Sequence, residues 1–122
     1  MEEKHYQTFE DLLVWEEGMQ LCVQVYALLK DCRDYSFRDQ IQRSAVSVPS
    51  NIAEGFERQT DKEFVQFLFI AKGSCAELRT QLYLAGELNF IEKKQSVVYV
   101  EKTKKLSSML QNLIKVRRAR IQ

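Results

Sequence analysis

Phe64, Leu68, Ala71, Cys75, Leu78, Leu82 and Ala85 recur in steps of four and three without a slip. That spacing keeps one face of a helix apolar for about six turns, at about 3.6 residues per turn. A half-buried strand would alternate instead. So long an amphipathic helix needs a partner surface along its whole length. One proline and four glycines in 122 residues leave few places to break the pattern, so the rest of the chain is expected to be helical too.

Three more segments carry the same period. Thr8-Phe9-Glu10-Asp11 reads as a start signal in which Thr8 caps a free N–H and Asp11 reaches back. Leu12, Trp15, Met19, Cys22, Tyr26 and Leu29 then form an inner seam, broadened by Val14, Leu21, Val25 and Leu28. This predicts a first helix over about 9–30. Ser36-Phe37-Arg38-Asp39 repeats the device ahead of Phe37, Ile41, Ala45, Val48 and Ile52, predicting a second helix over 37–56 with Gly55 as its end signal. Pro49 inside that pattern predicts a kink or short break, with Ser47 able to cap a restarted segment. Thr60-Asp61-Lys62-Glu63 is a capping box for a third helix over 61–87, ended by Gly86 to Asn89. The fourth, over 92–118, carries Tyr99, Thr103, Leu106, Met109, Leu110, Leu113 and Val116. Short connections make neighbours antiparallel. The expected fold is all-α: an antiparallel up-down four-helix bundle in a single domain, residues 1–122.

The first and third helices carry more apolar perimeter than one core buries; Phe67, Phe69, Ile70, Tyr83 and Leu84 lie off the third helix's seam. Copies of the chain are therefore expected to associate into a ring. No stretch reaches about 18 apolar residues, so no membrane span is predicted. Met1 to His5 is charged and lacks an apolar signal core, which predicts a cytoplasmic protein. Cys22, Cys32 and Cys75 are odd in number, and Cys22 and Cys75 fall on apolar stripes as small hydrophobes. His5 is the only histidine. Without a His/Cys cluster, neither a metal site nor a cofactor is expected.

The formal net charge of +1 conceals a large asymmetry. Residues 93–122 hold nine Lys/Arg against Glu101 alone, a net of +8, and residues 1–92 carry −7. Lys102, Lys104, Lys105, Arg117, Arg118 and Arg120 are accordingly candidates for contact with the phosphate backbone of RNA or DNA, without sequence preference. Tyr99 is the only aromatic in that helix, so base stacking is not indicated. The competing reading is a solvated face offset by Glu10, Asp11, Glu16 and Glu17.

Catalysis finds little support. Glu54 and Glu77 could form a carboxylate pair, but di-iron bundles need Glu-x-x-His and no helix here has a histidine. Neither Ala53-Glu54-Gly55-Phe56 nor Lys72-Gly73-Ser74 has the spacing of a phosphate loop. No catalytic residue and no small-molecule substrate is predicted. Arg43, Ser47, Ser50, Asn51, Glu54 and Arg58 share one face of the second helix, and Ser74, Glu77 and Gln81 one face of the third. Arg43, Ser47, Asn51, Glu54 and Glu77 are read as a structural hydrogen-bond network fixing helix register, with a ligand site as the alternative.

Three stretches carry a family resemblance: Phe9 to Trp15, Gln40 to Gly55 with its Val-Pro-Ser-Asn-Ile-Ala-Glu-Gly, and Phe67 to Leu78. Together they resemble the bacterial four helix bundle protein family, also called the 23S rRNA intervening-sequence protein family. The likeness covers roughly residues 9–88, the fourth helix matching only in kind. It implies an up-down bundle assembled as a ring, a homopentamer. A more distant similarity to the accessory protein of diversity-generating retroelements implies a nucleic-acid or ribonucleoprotein partner. That protein is strongly basic, whereas this chain is near neutral. The expected function is a non-enzymatic, homo-oligomeric binding or scaffolding module that contacts nucleic acid through its basic fourth helix. The alternative is a purely structural or protein-partner adaptor.

Overall fold

The computed structural model describes residues 6–121. A 3-10 turn, Phe9–Asp11, leads into α1 (Leu13–Leu28), α2 (Tyr35–Phe56), α3 (Asp61–Glu87) and α4 (Lys93–Arg118). Among the described residues there is no strand. α3 packs along both α2 and α4, α1 lies along α2, and α4 closes only lightly on α1. The diagonal pairs, α1 with α3 and α2 with α4, show no close backbone approach. This is a four-helix bundle. His5 lies outside the described residues.

Helices start where a side chain can serve the free N–H groups of the first turn. Thr60 Oγ1 accepts from the Glu63 N–H at 3.1 Å and donates to Glu63 Oε1 at 3.2 Å. The hydroxyl thus caps the helix, while the carboxylate returns to that hydroxyl rather than to the Thr60 N–H of a full capping box. The cap of α2 is Asp34, whose Oδ1 accepts from the Phe37 N–H at 3.1 Å, so that helix begins two residues before its expected start. At the N-terminal end, Asp11 Oδ2 accepts from the N–H groups of Gln7 and Thr8. That signal closes only a 3-10 turn; Leu12 is extended, and α1 starts at Leu13 and stops short of Lys30. α4 starts after Glu92, whose N–H donates to Gln95 Oε1 at 3.0 Å.

α2 runs unbroken through Pro49, with no restart at Ser47. The ring packs on Gly18, where an added Cβ would sit 3.5 Å from Val48 and 3.7 Å from Pro49. That contact corrects the inner seam expected for α1. Val14, Gly18, Leu21 and Val25 face the core, whereas Met19 and Tyr26 are exposed and Trp15 and Cys22 are half-buried. A glycine has no apolar signature, yet Gly18 is buried against Val48 and Pro49, so its side of α1 faces α2. In α4, likewise, Ser96, Val100 and Ile114 are buried, and Val116 is exposed.

The expected α3 seam is buried at all seven positions. Cys75 sits in it, its Sγ donating to the Thr103 carbonyl at 3.4 Å. Burial pushes this thiol from 9.0 up to about 11, against a smaller downward pull from Arg79. Burial likewise raises the Cys22 thiol. Folding thus favours neutral Cys75. Its contribution is complete below pH 9.0 and is lost as pH rises through about 11. Accordingly, iodoacetamide at pH 8 should alkylate Cys75 only after unfolding; rapid labelling of the folded protein at that position would contradict this burial.

Candidate functional site

Antiparallel packing of α2 and α3 brings their polar faces together as rungs. Ser44 Oγ lies 3.1 Å from Glu77 Oε1 and donates to it or to the Gln40 carbonyl. One turn on, Ser47 and Ser74 hydroxyls meet at 2.8 Å. Asn51 Nδ2 donates to both the carbonyl and the Oγ of Ser47, at 2.8 and 2.9 Å. Ser47, Asn51 and Ser74 therefore share one rung, and Glu77 belongs to a separate one. Ser44, which lies among the apolar residues of α2 and is buried, belongs to it too. Its signal was available: a serine beside Ala45 on the buried stripe needs a partner. Glu54 does not join the rungs. It pairs with Arg58 at 3.1 Å on the exposed side of α2. Glu54→Ala should consequently cost under about 0.5 kcal/mol in urea unfolding; a loss several times larger would contradict this placement. Arg43 is exposed at the same level as Ser44 and pairs with none of the described residues.

The six basic candidates are not one surface. Lys102 and Lys104 are two residues apart, about 200° around the helix. Lys102 donates to Gln24 of α1 at 3.2 Å, and Lys105 approaches Glu17 at 3.7 Å, bridging the light α1–α4 seam. Lys104 pairs with Glu101 at 3.3 Å. Arg118 lies over the Phe69 ring of α3. Arg117, only 13% exposed, turns inward: its Nη1 donates to Asp61 Oδ1 at 3.1 Å and its guanidinium covers Phe64. Arg120 is 3.8 Å from the same carboxylate. The last turn of α4 is thus latched to the first turn of α3. Arg117→Ala should destabilise the bundle by about 1.5–3 kcal/mol, because Asp61 loses its 3.1 Å charged hydrogen bond and keeps only the longer approach of Arg120; an unchanged melting temperature would reject the latch.

The sequence model of the 23S rRNA-intervening sequence protein family matches residues 10–112. The chain belongs to this family. The match extends beyond the likeness read from residues 9–88: it takes in the rungs between α2 and α3 and most of α4, while Lys115, Arg117, Arg118 and Arg120 fall outside it. No curated protein matches the chain. A crystal structure of a protein of unknown function from the S23 ribosomal protein family of Bacteroides thetaiotaomicron is similar in fold. Its TM-score is 0.79 at 22% identity, covering 84% of this chain and 99% of that one. Among the described residues of this intervening-sequence family member, no helix is long and apolar enough to cross a membrane.

Proposed function

We propose that this protein is a non-enzymatic scaffold that associates with copies of itself into a ring. The observation that carries the reading is a pair of outward apolar ridges on diagonal helices. On α1, Leu13 and Val23 are 60% and 64% exposed; on α3, Ile70 and Leu84 are 51% and 45% exposed, beside Phe69 and Tyr83. Ridges on opposite sides of a bundle are two different faces. Face-to-back contact between unlike faces repeats from copy to copy and closes if the rotation allows. A pentamer is the ring size implied by the family resemblance. Sedimentation velocity at micromolar concentration should give a single species of several subunits. A monomer would remove the proposal.

The second reading, contact with nucleic acid, draws on the charge asymmetry and on Lys104, Lys105, Lys115 and Arg118, all exposed. A ring repeats this basic face in every subunit, so weak phosphate contacts add. Binding of single-stranded RNA or DNA should be insensitive to sequence and fall steeply between about 50 and 200 mM salt. Fluorescence anisotropy without any change at the low-salt end would leave the adaptor reading in its place.

A further inference from the structure

The groove between α2 and α3 is explained neither by self-association nor by phosphate contact. It encloses about 330 Å³, at the lower end of the roughly 300–1,000 Å³ of small-molecule sites. Gln40, Arg43, Ser44, Ser47, Glu77 and Gln81 line it, and every one is polar. We propose that it binds a small zwitterion of the free amino acid class, the carboxylate on Arg43 and the ammonium on Glu77.

Opposite charges stand on facing helices at one level of the bundle, because Ser44, next to Arg43, is within hydrogen-bond distance of Glu77. Those two charges form no ion pair with each other, and neither pairs with any other charged group among the described residues. A ligand carrying both charges completes both, and a guanidinium is suited to a carboxylate. Gln81 adds an independent mark. It is 8% exposed, and its Oε1 has no donor. Buried acceptors ordinarily have one. A turn of the terminal amide would offer this oxygen to the ligand's ammonium.

The lining also selects against other ligands. A nucleobase would find no aromatic ring to stack on. A lone phosphate would face the negative charge of Glu77. The groove is open on one side, so the ligand's own side chain is left toward solvent. Small or polar amino acids fit best, with modest discrimination among them.

Calorimetry on the full chain as it assembles tests this, using glycine, L-serine and L-glutamine beside acetate and methylamine, which carry one charge each. The zwitterions should bind with dissociation constants below about 1 mM, and the single-charge fragments at least about tenfold more weakly. Arg43→Gln and Glu77→Gln should each weaken zwitterion binding at least about tenfold with helicity unchanged. Arg43 is exposed, and glutamine at 77 can still accept from Ser44. Amide chemical shifts should change around residues 40–47 and 74–81. No heat and no shifts at about 10 mM ligand, equal binding by the two variants, or shifts confined elsewhere would each overturn the assignment.

Discussion

Val23→Glu and Leu84→Glu should each reduce the assembly to a monomer, and an equimolar mixture of the two variants should recover a dimer and nothing larger. α1 and α3 are diagonal, with no close backbone approach between them, so their ridges point away from each other. On α3 the ridge has a low centre. A Cβ on Gly73 would meet nothing within 4 Å, and Ala76 lies exposed beside it. Phe69 and Leu84 stand on either side. Bulky Met19, Val23 and Tyr26 on α1 suit such a notch. Charge points the same way. Residues 6–29 contain Glu10, Asp11, Glu16 and Glu17 and no base. Lys72 and Arg79 line the groove beside Gly73, and Arg118 covers Phe69.

If α1 of one copy meets α3 of the next, each variant spoils one of two unlike faces. A spoiled face removes every contact in a pure sample. In the mixture, the intact α3 face of the Val23 variant meets the intact α1 face of the Leu84 variant once only. If like faces met instead, each single variant would keep one good contact and remain a dimer. Both positions are exposed, so the bundle itself should change by less than about 0.5 kcal/mol. Masses from light scattering, with circular dichroism for helicity, read all three outcomes. Dimeric single variants would refute the unlike-face arrangement, and a monomeric wild type would refute association altogether.

Gly55→Val should destabilise the bundle by about 2–3 kcal/mol, among the largest effects of a single added side chain. A Cβ at Gly55 would lie 2.5 Å from Phe67 Cβ and 3.0 Å from Phe64 Cδ1. Phe67 Cβ is fixed to the α3 backbone, so the clash forces the helices apart rather than moving a flexible tip. It also disturbs the Phe56–Phe64 edge contact, whose centroids are 5.8 Å apart. Gly73→Ala is the control. With open space around it, alanine should stabilise α3 by up to about 1 kcal/mol through backbone entropy. Both are best measured by urea unfolding in the monomeric Leu84→Glu background, where loss of subunit contacts does not intrude. A neutral Gly55→Val would mean that α2 and α3 can separate at no cost.

The rungs between α2 and α3 were half legible. Residues three and four apart share a helix face, so Ser47 and Asn51, and Ser74, Glu77 and Gln81, could be grouped within each helix. Which rung faces which depends on the antiparallel register, a distance between segments that periodicity does not contain. Glu54 fell to the exposed side because its angular position sits just past the contact edge, where a nearby Arg58 is the better partner. The basic residues went further astray. One-dimensional charge density cannot tell Arg117, drawn inward by Asp61 from 56 residues away, from Arg118, its exposed neighbour.

Four helices, the starts of the third and fourth and the whole α3 seam were determined by the sequence by itself, because capping and a sustained 3-and-4 spacing are local properties. The rotation of α1, the use of Gly55 and Gly86 as close-approach points, and the latch at the bundle's end were decided only in the tertiary structure. A Cβ at Gly86, for instance, would meet Ser96 at 2.8 Å, and Ser96 in turn donates to the Leu82 carbonyl at 2.9 Å. Glycine and serine carry no apolar signal, so their value appears only when a second helix comes within van der Waals reach. Which face points inward is settled by the closest packing of all four helices together, and no single helix contains that information.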